Sequence, residues 1–267
     1  MDFSLQRESN RRIKYYDSGK DSSIQLIFLP GAFNPELWRQ QFRYFSKSFR
    51  TISFDLWKQE RSYRAQVEVL DSILEKDEIT NAVLIGYGLG NPLAQELEHR
   101  EDVAATVITG PAERFPLVPR RLYNSVWKLA GLKPKLAKKL FFSEKTDYRV
   151  VRQFMKDIEA PSYEEFREFS RHYSLRKPVK NCMVIHAEND RFSSKDYARR
   201  LKPDASVSLI KSAGSFSFYE KPQEYNKALL DFLKNMEMFV ESREITQTQK
   251  KNRSLKEFEL EKTVMNK

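Results

Sequence analysis

Residues 82–97 read AVLIGYGLGNPLAQEL, and this stretch constrains the fold more than any other. Ala82, Val83, Leu84 and Ile85 form a short apolar run of the buried-strand type. Gly86, Gly88 and Gly90 follow at every second position, and Leu93, Ala94 and Leu97 then recur at helical spacing. Strand, glycine-punctuated turn and helix so close together demand a sharp reversal. The outer glycines let strand and helix pack closely, and Gly88 sits at the apex.

Strand and helix patterns alternate around this turn. Residues 3–7 and 12–16 flank Glu8-Ser9-Asn10 as an N-terminal hairpin. An apolar run over 24–29 ends in Pro30-Gly31, a helix is predicted over 35–45, a strand over 50–55 and a long helix over 63–76. Another buried strand covers 104–109. The spacing is that of βαβ units, so the fold class is α/β, with a mostly parallel central sheet and flanking helices. Residues 116–176 lack strand patterning and read as short, aromatic-rich helices, a lid over the sheet's C-terminal edge. The rhythm resumes with strands at 182–187 and 207–210 and helices at 195–201 and 223–234. The predicted partition is a first core segment over 1–111, a helical lid over 112–178, a second core segment over 179–235, and a charged C-terminal helix or tail over 236–267.

Composition narrows the chemistry. One cysteine, Cys182, excludes an internal disulfide and fits a reducing compartment, here read as the cytoplasm. With three histidines, His99, His172 and His186, no metal site or cofactor is expected. No apolar stretch reaches membrane-spanning length, and residues 1–12 lack the apolar core of a signal peptide. The net charge of +10 is concentrated from Arg114 to Arg152, where eleven Lys and Arg face only Glu144 and Asp147. Leu122, Val126, Trp127, Leu129, Leu132, Leu136 and Leu140 are interleaved with those cations, the composition of an interfacial helix pair broken near Gly131 and Pro134. This segment is the candidate surface for an anionic membrane or an acidic protein. It carries no nucleic-acid recognition motif.

Several motifs fall in an order that resembles the α/β-hydrolase fold superfamily, of the lid-bearing, esterase-like kind, over residues 12–233. Leu29-Pro30-Gly31-Ala32-Phe33 lies where the family has its His-Gly oxyanion loop. Phe54-Asp55-Leu56 resembles the start of the next loop, although residues 57–62 lack the family's Pro-Gly-x-Gly. Gly86-Tyr87-Gly88-Leu89-Gly90 resembles the nucleophile elbow. The turn His186-Ala187-Glu188-Asn189-Asp190 would supply the acid at Asp190, and the family's catalytic His falls on Ser215.

Carried over residue by residue, the triad positions are Gly88, Asp190 and Ser215, and the first and last cannot do their work. Gly88 has no side chain, and Ser215 has no nitrogen that takes a proton near neutral pH. Asp190, without a histidine to orient, reads as a loop hydrogen-bond partner. His172 in the lid reads as a surface residue, and His186 and Cys182 as core packing. The expectation is a pseudo-hydrolase that binds a small apolar, acyl or carboxylate-bearing ligand, or a protein partner. Its ligand-binding residues would be Ala32, Phe33, Tyr87 and Leu89. Strand alternation turns the Tyr87 side chain away from the apex, and peptide N–H groups of Leu89 and of Ala32 or Phe33 would face the pocket. The alternative is an esterase-like hydrolase or lyase with a displaced catalytic set.

Overall fold

Strands β3 (Gln25–Leu29) and β5 (Ala82–Tyr87) are buried at every residue, as parallel strands covered on both faces must be. The computed structural model describes residues 6–8, 14–54, 62–76, 79–112, 119–159, 161–178, 181–193, 195–201 and 206–236. With β1 (Gln6–Glu8), β2 (Lys14–Asp17), β4 (Arg50–Phe54), β6 (Val103–Thr109), β7 (Asn181–Ala187) and β8 (Ser206–Ile210) they form an eight-stranded sheet, ordered β1-β2-β4-β3-β5-β6-β7-β8. From β4 to β8 every pairing is parallel, while β1 and β2 are antiparallel. The predicted N-terminal hairpin is present; Glu8, expected in its turn, ends β1 opposite Lys14, and residues 9–13 lie outside the described residues. So do Asp55 and Leu56 and the loop that follows them.

Chain order around β3 positions the site. The chain leaves β3 on one side for β4, then returns on the other side as β5. The carboxyl ends of β3 and β5 therefore diverge at a topological switch point, where open α/β sheets hold ligands. The single helix predicted over 35–45 is divided: a 3₁₀ turn, Pro35–Trp38, precedes α1 (Arg39–Phe45). Proline in the first turn favours this tight start, because its missing N–H has no partner there in any case. Helices α2 (Tyr63–Lys76) and α3 (Gly90–Glu96) follow β4 and β5.

Among the described residues, four helices lie between β6 and β7: α4 (Arg120–Leu132), α5 (Pro134–Phe141), α6 (Tyr148–Asp157) and α7 (Tyr163–His172). The break between the first two falls at Lys133, before a proline that cannot continue a helix. This lid is fastened to the core. Phe169 and Tyr173 pack into the core cluster with Leu70 and Ile73 of α2. The Asp157 carboxylate accepts hydrogen bonds from Arg39 Nη1 and the Tyr219 hydroxyl, both at 3.0 Å, and its carbonyl accepts one from Asn34 Nδ2 at 2.9 Å. Buried Glu220, at the end of α9 (Ser217–Glu220), accepts from the peptide N–H groups of Gly214 (2.7 Å) and Ser143 (3.2 Å) and from the Thr146 hydroxyl. Ser143 and Thr146 belong to the lid. Glu220→Gln replaces a charged acceptor with a neutral one that also brings a donor into this pocket. The expected loss is about 1–3 kcal/mol, read from the midpoint and slope of urea unfolding.

Part of the lid's apolar stripe faces inward. Val126, Trp127, Leu140 and Phe141 line the cavity described below, while Arg121, Lys128, Lys133, Lys135 and Lys139 stay exposed. The interfacial pair read from the sequence is therefore an amphipathic cover whose apolar side is occupied by the protein itself. Arg114 lies outside the described residues.

Helix α8 (Lys195–Leu201) lies between β7 and β8. Residues 222–236 are helical, and the boundary between two compact units, Met1–Asn226 and Lys227–Lys267, falls within them. In the second unit, Lys227 pairs with Asp231 one turn on, at 2.6 Å. The predicted C-terminal tail lies outside the described residues.

Candidate ligand-binding site

At the end of β5 the chain turns at Gly88, whose φ of +48° lies in the left-handed region. A side chain is strained there, and glycine is not. The Gly88 N–H donates to Thr109 O (3.3 Å), and its carbonyl accepts from the Asn91 N–H (3.1 Å). The buried Asn91 amide clamps the turn to β6, donating to Thr109 O at 3.0 Å and accepting from the Thr109 N–H at 3.2 Å. The apex is thus rigidly held and bare.

Across the sheet, the turn after β7 places Asp190. Its Oδ1 accepts three hydrogen bonds: from the Ser215 hydroxyl (2.6 Å), the Phe192 N–H (2.9 Å) and the Ser193 N–H (3.3 Å). Asp190 is the loop partner predicted from sequence, and it also forms part of a cavity wall. Ser215, buried in the loop after β8, stands against that carboxylate. The three aligned positions therefore come together: Gly88 and Asp190 line the same cavity, and Ser215 is bonded to Asp190 behind it.

The cavity has a volume of about 310 Å³ and is walled almost wholly by apolar atoms of the core and lid. Phe33, Tyr87 and Leu89 line it, and Ala32 does not; it packs in the core cluster with Leu29 and Leu89. The Phe33 N–H donates to Pro30 O at 3.3 Å and is used within its own turn. For the Leu89 N–H no acceptor is found among the described residues. Tyr87 departs from the expected direction. Its side chain lines the cavity, because strand alternation ends where the chain leaves the sheet, and the bare Cα of Gly110 leaves room for the ring. Burial, then the negative charge of Asp190, push the Tyr87 phenol well above its usual range, so it stays protonated.

Sequence reasoning did not single out Phe192 or Phe216. Phe216 is a hub, with ring centroids 5.7 Å from Phe33, 5.1 Å from Tyr87 and 4.4 Å from Phe154. Its position directly after Ser215 was the available signal. Phe192 is 46% exposed and, with Leu122 at 53%, forms an apolar rim.

The remaining candidates lie elsewhere. His172 is exposed, stacked on Tyr63 at 5.0 Å and 3.4 Å from Glu168. Cys182 is buried in β7. Among the described residues no group of three His, Cys, Asp or Glu could hold a metal ion. His186 is buried with Nδ1 2.7 Å from the Ser193 hydroxyl, and desolvation lowers its pKa below the usual 6.5. A lowered histidine pKa means that the unfolded chain binds the extra proton first. Stability from this group is therefore full above pH 6.5 and declines as pH falls from there toward the folded-state value. A series of unfolding curves between pH 7.5 and 5 should show that decline in the wild type, reduced in His186→Gln.

Solved structures align with this chain over most of its length. An alpha/beta hydrolase fold protein from Chitinophaga pinensis aligns with a TM-score of 0.67 at 17% identity, over 86% of this chain and 96% of that one. The chain has the α/β-hydrolase fold. A structure described with the carboxylesterases of the thaumarchaeon Nitrososphaera gargenis aligns at TM-score 0.68 and 18% identity, over 87% of this chain and 99% of its own. The enol-lactonase of Burkholderia xenovorans aligns at 0.66 and 15%, over 86% and 99%. No protein-family model and no curated protein sequence matches. In α/β-hydrolase terms, Gly88 is at the elbow apex, Asp190 follows the strand after the lid, and Ser215 lies in the next loop.

Proposed function

We propose that this α/β-hydrolase-fold protein is a binding protein with a degenerate catalytic site, and that its lid-covered cavity holds a small, mainly apolar ligand. One observation carries this reading: the side chain hydrogen-bonded to Asp190 beside the bare elbow apex is the Ser215 hydroxyl, at 2.6 Å, where an imidazole would be needed. A hydroxyl bonded to a carboxylate does not take a proton from a nucleophile, and Gly88 offers none to activate. A site stripped of such groups keeps only about 10³–10⁴-fold rate enhancement over water from its remaining donors and binding. The cavity is near the small end of the roughly 300–1,000 Å³ range of ligand pockets, which suits a compact molecule.

The test is hydrolysis of short- and medium-chain p-nitrophenyl esters by homogeneous protein. No turnover above the Asp190→Ala variant is expected. Robust turnover, lost or retained in that variant, would overturn the reading in favour of an enzyme with a displaced catalytic set.

With its apolar stripe turned to the cavity, the lid's outer face keeps an electrostatic route to an anionic membrane or acidic partner. Binding by that route should vanish as the Debye length falls from about 10 Å at 0.1 M salt to about 3 Å at 1 M. Sedimentation with anionic liposomes at both salt concentrations reads it. Retention at high salt would mean that apolar contacts are made after all.

A further inference from the structure

The geometry points to a ligand with a hydrogen-bond-donating polar end, an amine or alcohol on an apolar chain, received by Asp190, and it disfavours a carboxylate. This rests on the cavity being a binding site. Among the described residues that line the cavity, Asp190 is the one acid, and no Lys, Arg or His stands with it. Its two oxygens are not equivalent. Oδ1 is saturated by Ser215, Phe192 and Ser193. Oδ2 has no donor among the described residues. It lies 3.3 Å from the point where a Cβ on Gly110 would stand, and Tyr87 Cε2 lies 3.2 Å from the same point. The bare Cα of Gly110 therefore lets this unpartnered carboxylate oxygen and the edge of the Tyr87 ring close on the same spot of the cavity wall.

Charge decides what can enter. A carboxylate placed in this apolar space would meet Asp190 with no cation to offset either charge. Tyr87, held protonated, adds no second negative charge and no positive one. The Leu89 N–H is a single neutral donor and does not balance a full charge. An ammonium or hydroxyl gains instead a hydrogen bond to an ionised acceptor, the stronger class of such bonds, while its alkyl chain lies among Trp127, Phe141 and Phe216.

The experiment compares n-octylamine, 1-octanol and octanoate, matched in chain length, by calorimetry or native mass spectrometry on the full chain. The amine should bind tightest and octanoate weakest, with a gap on the order of tenfold to a hundredfold. Asp190→Asn, nearly isosteric, should largely remove that gap. The order of the three ligands on the wild-type protein covers the case in which Asp190→Asn does not fold. Octanoate binding as tightly as the amine overturns this inference and leaves the binding reading intact. Binding of none of the three overturns the inference as well. Only ester turnover in the same preparation overturns the binding reading.

Discussion

A chain carrying both Gly88→Ser and Ser215→His is expected to hydrolyse p-nitrophenyl acetate, and neither single variant is. The parts that would remain are in place. Residue 215 already hydrogen-bonds Asp190 Oδ1 at 2.6 Å, so an imidazole there inherits its orienting carboxylate. The apex at residue 88 is clamped through Thr109 and Asn91, and it faces the cavity. The Leu89 N–H lies next to it for the developing oxyanion. A serine at φ +48° costs about 1–3 kcal/mol of backbone strain, which this framework has to bear. A positioned general base is worth roughly 10²–10⁴-fold, so kcat/KM of the double variant should exceed that of either single by at least about 10². The effects should be far from additive, because nucleophile and base act as a unit. Adding Asp190→Asn should remove most of the gain. A folded double variant without activity would show that the site lacks more than two side chains.

The second large effect concerns stability. Gly90→Ala should leave little or no folded protein. A Cβ at Gly90 would overlap the Leu29 carbonyl oxygen and stand 3.0 Å from the Gly31 nitrogen. Both neighbours are backbone, and Leu29 is held in the β3–β5 ladder, so neither gives way as a flexible side chain would. The expected loss exceeds about 4 kcal/mol, the range reserved for mutations that break a specific packing feature. Gly131→Ala is the matched control. Gly131 is exposed in α4, and a Cβ there meets nothing within 4 Å. Replacing glycine with alanine at such a helix position should stabilise by up to about 1 kcal/mol. Denaturant titration and soluble yield compare the pair. Equal behaviour would mean that the elbow is looser than its backbone contacts imply.

The fold was legible in the sequence because its signals are local. A parallel strand buried on both faces must be apolar throughout, so residues 82–85 and 24–29 announce themselves without knowledge of their partners. A turn that brings backbone against backbone must be glycine, so Gly86, Gly88 and Gly90 mark the elbow. What two side chains can offer was legible for the same reason: Gly88 bears no nucleophile and Ser215 carries no basic nitrogen, whatever surrounds them. Tertiary structure alone decided the rest, because cavities are made by residues distant in the chain. That Tyr87 turns into the cavity depends on the bare Cα of Gly110, just past the end of another strand. That Asp190 is both a loop partner and a wall depends on where β7 and the loop at Ser215 meet. The side to which the lid's apolar stripe points could not be read from its period, since an amphipathic helix has the same pattern whether its apolar face meets a membrane or its own core. Packing of Trp127 and Phe141 against Phe33 and Phe216 decided it, through contacts between segments separated by most of a domain.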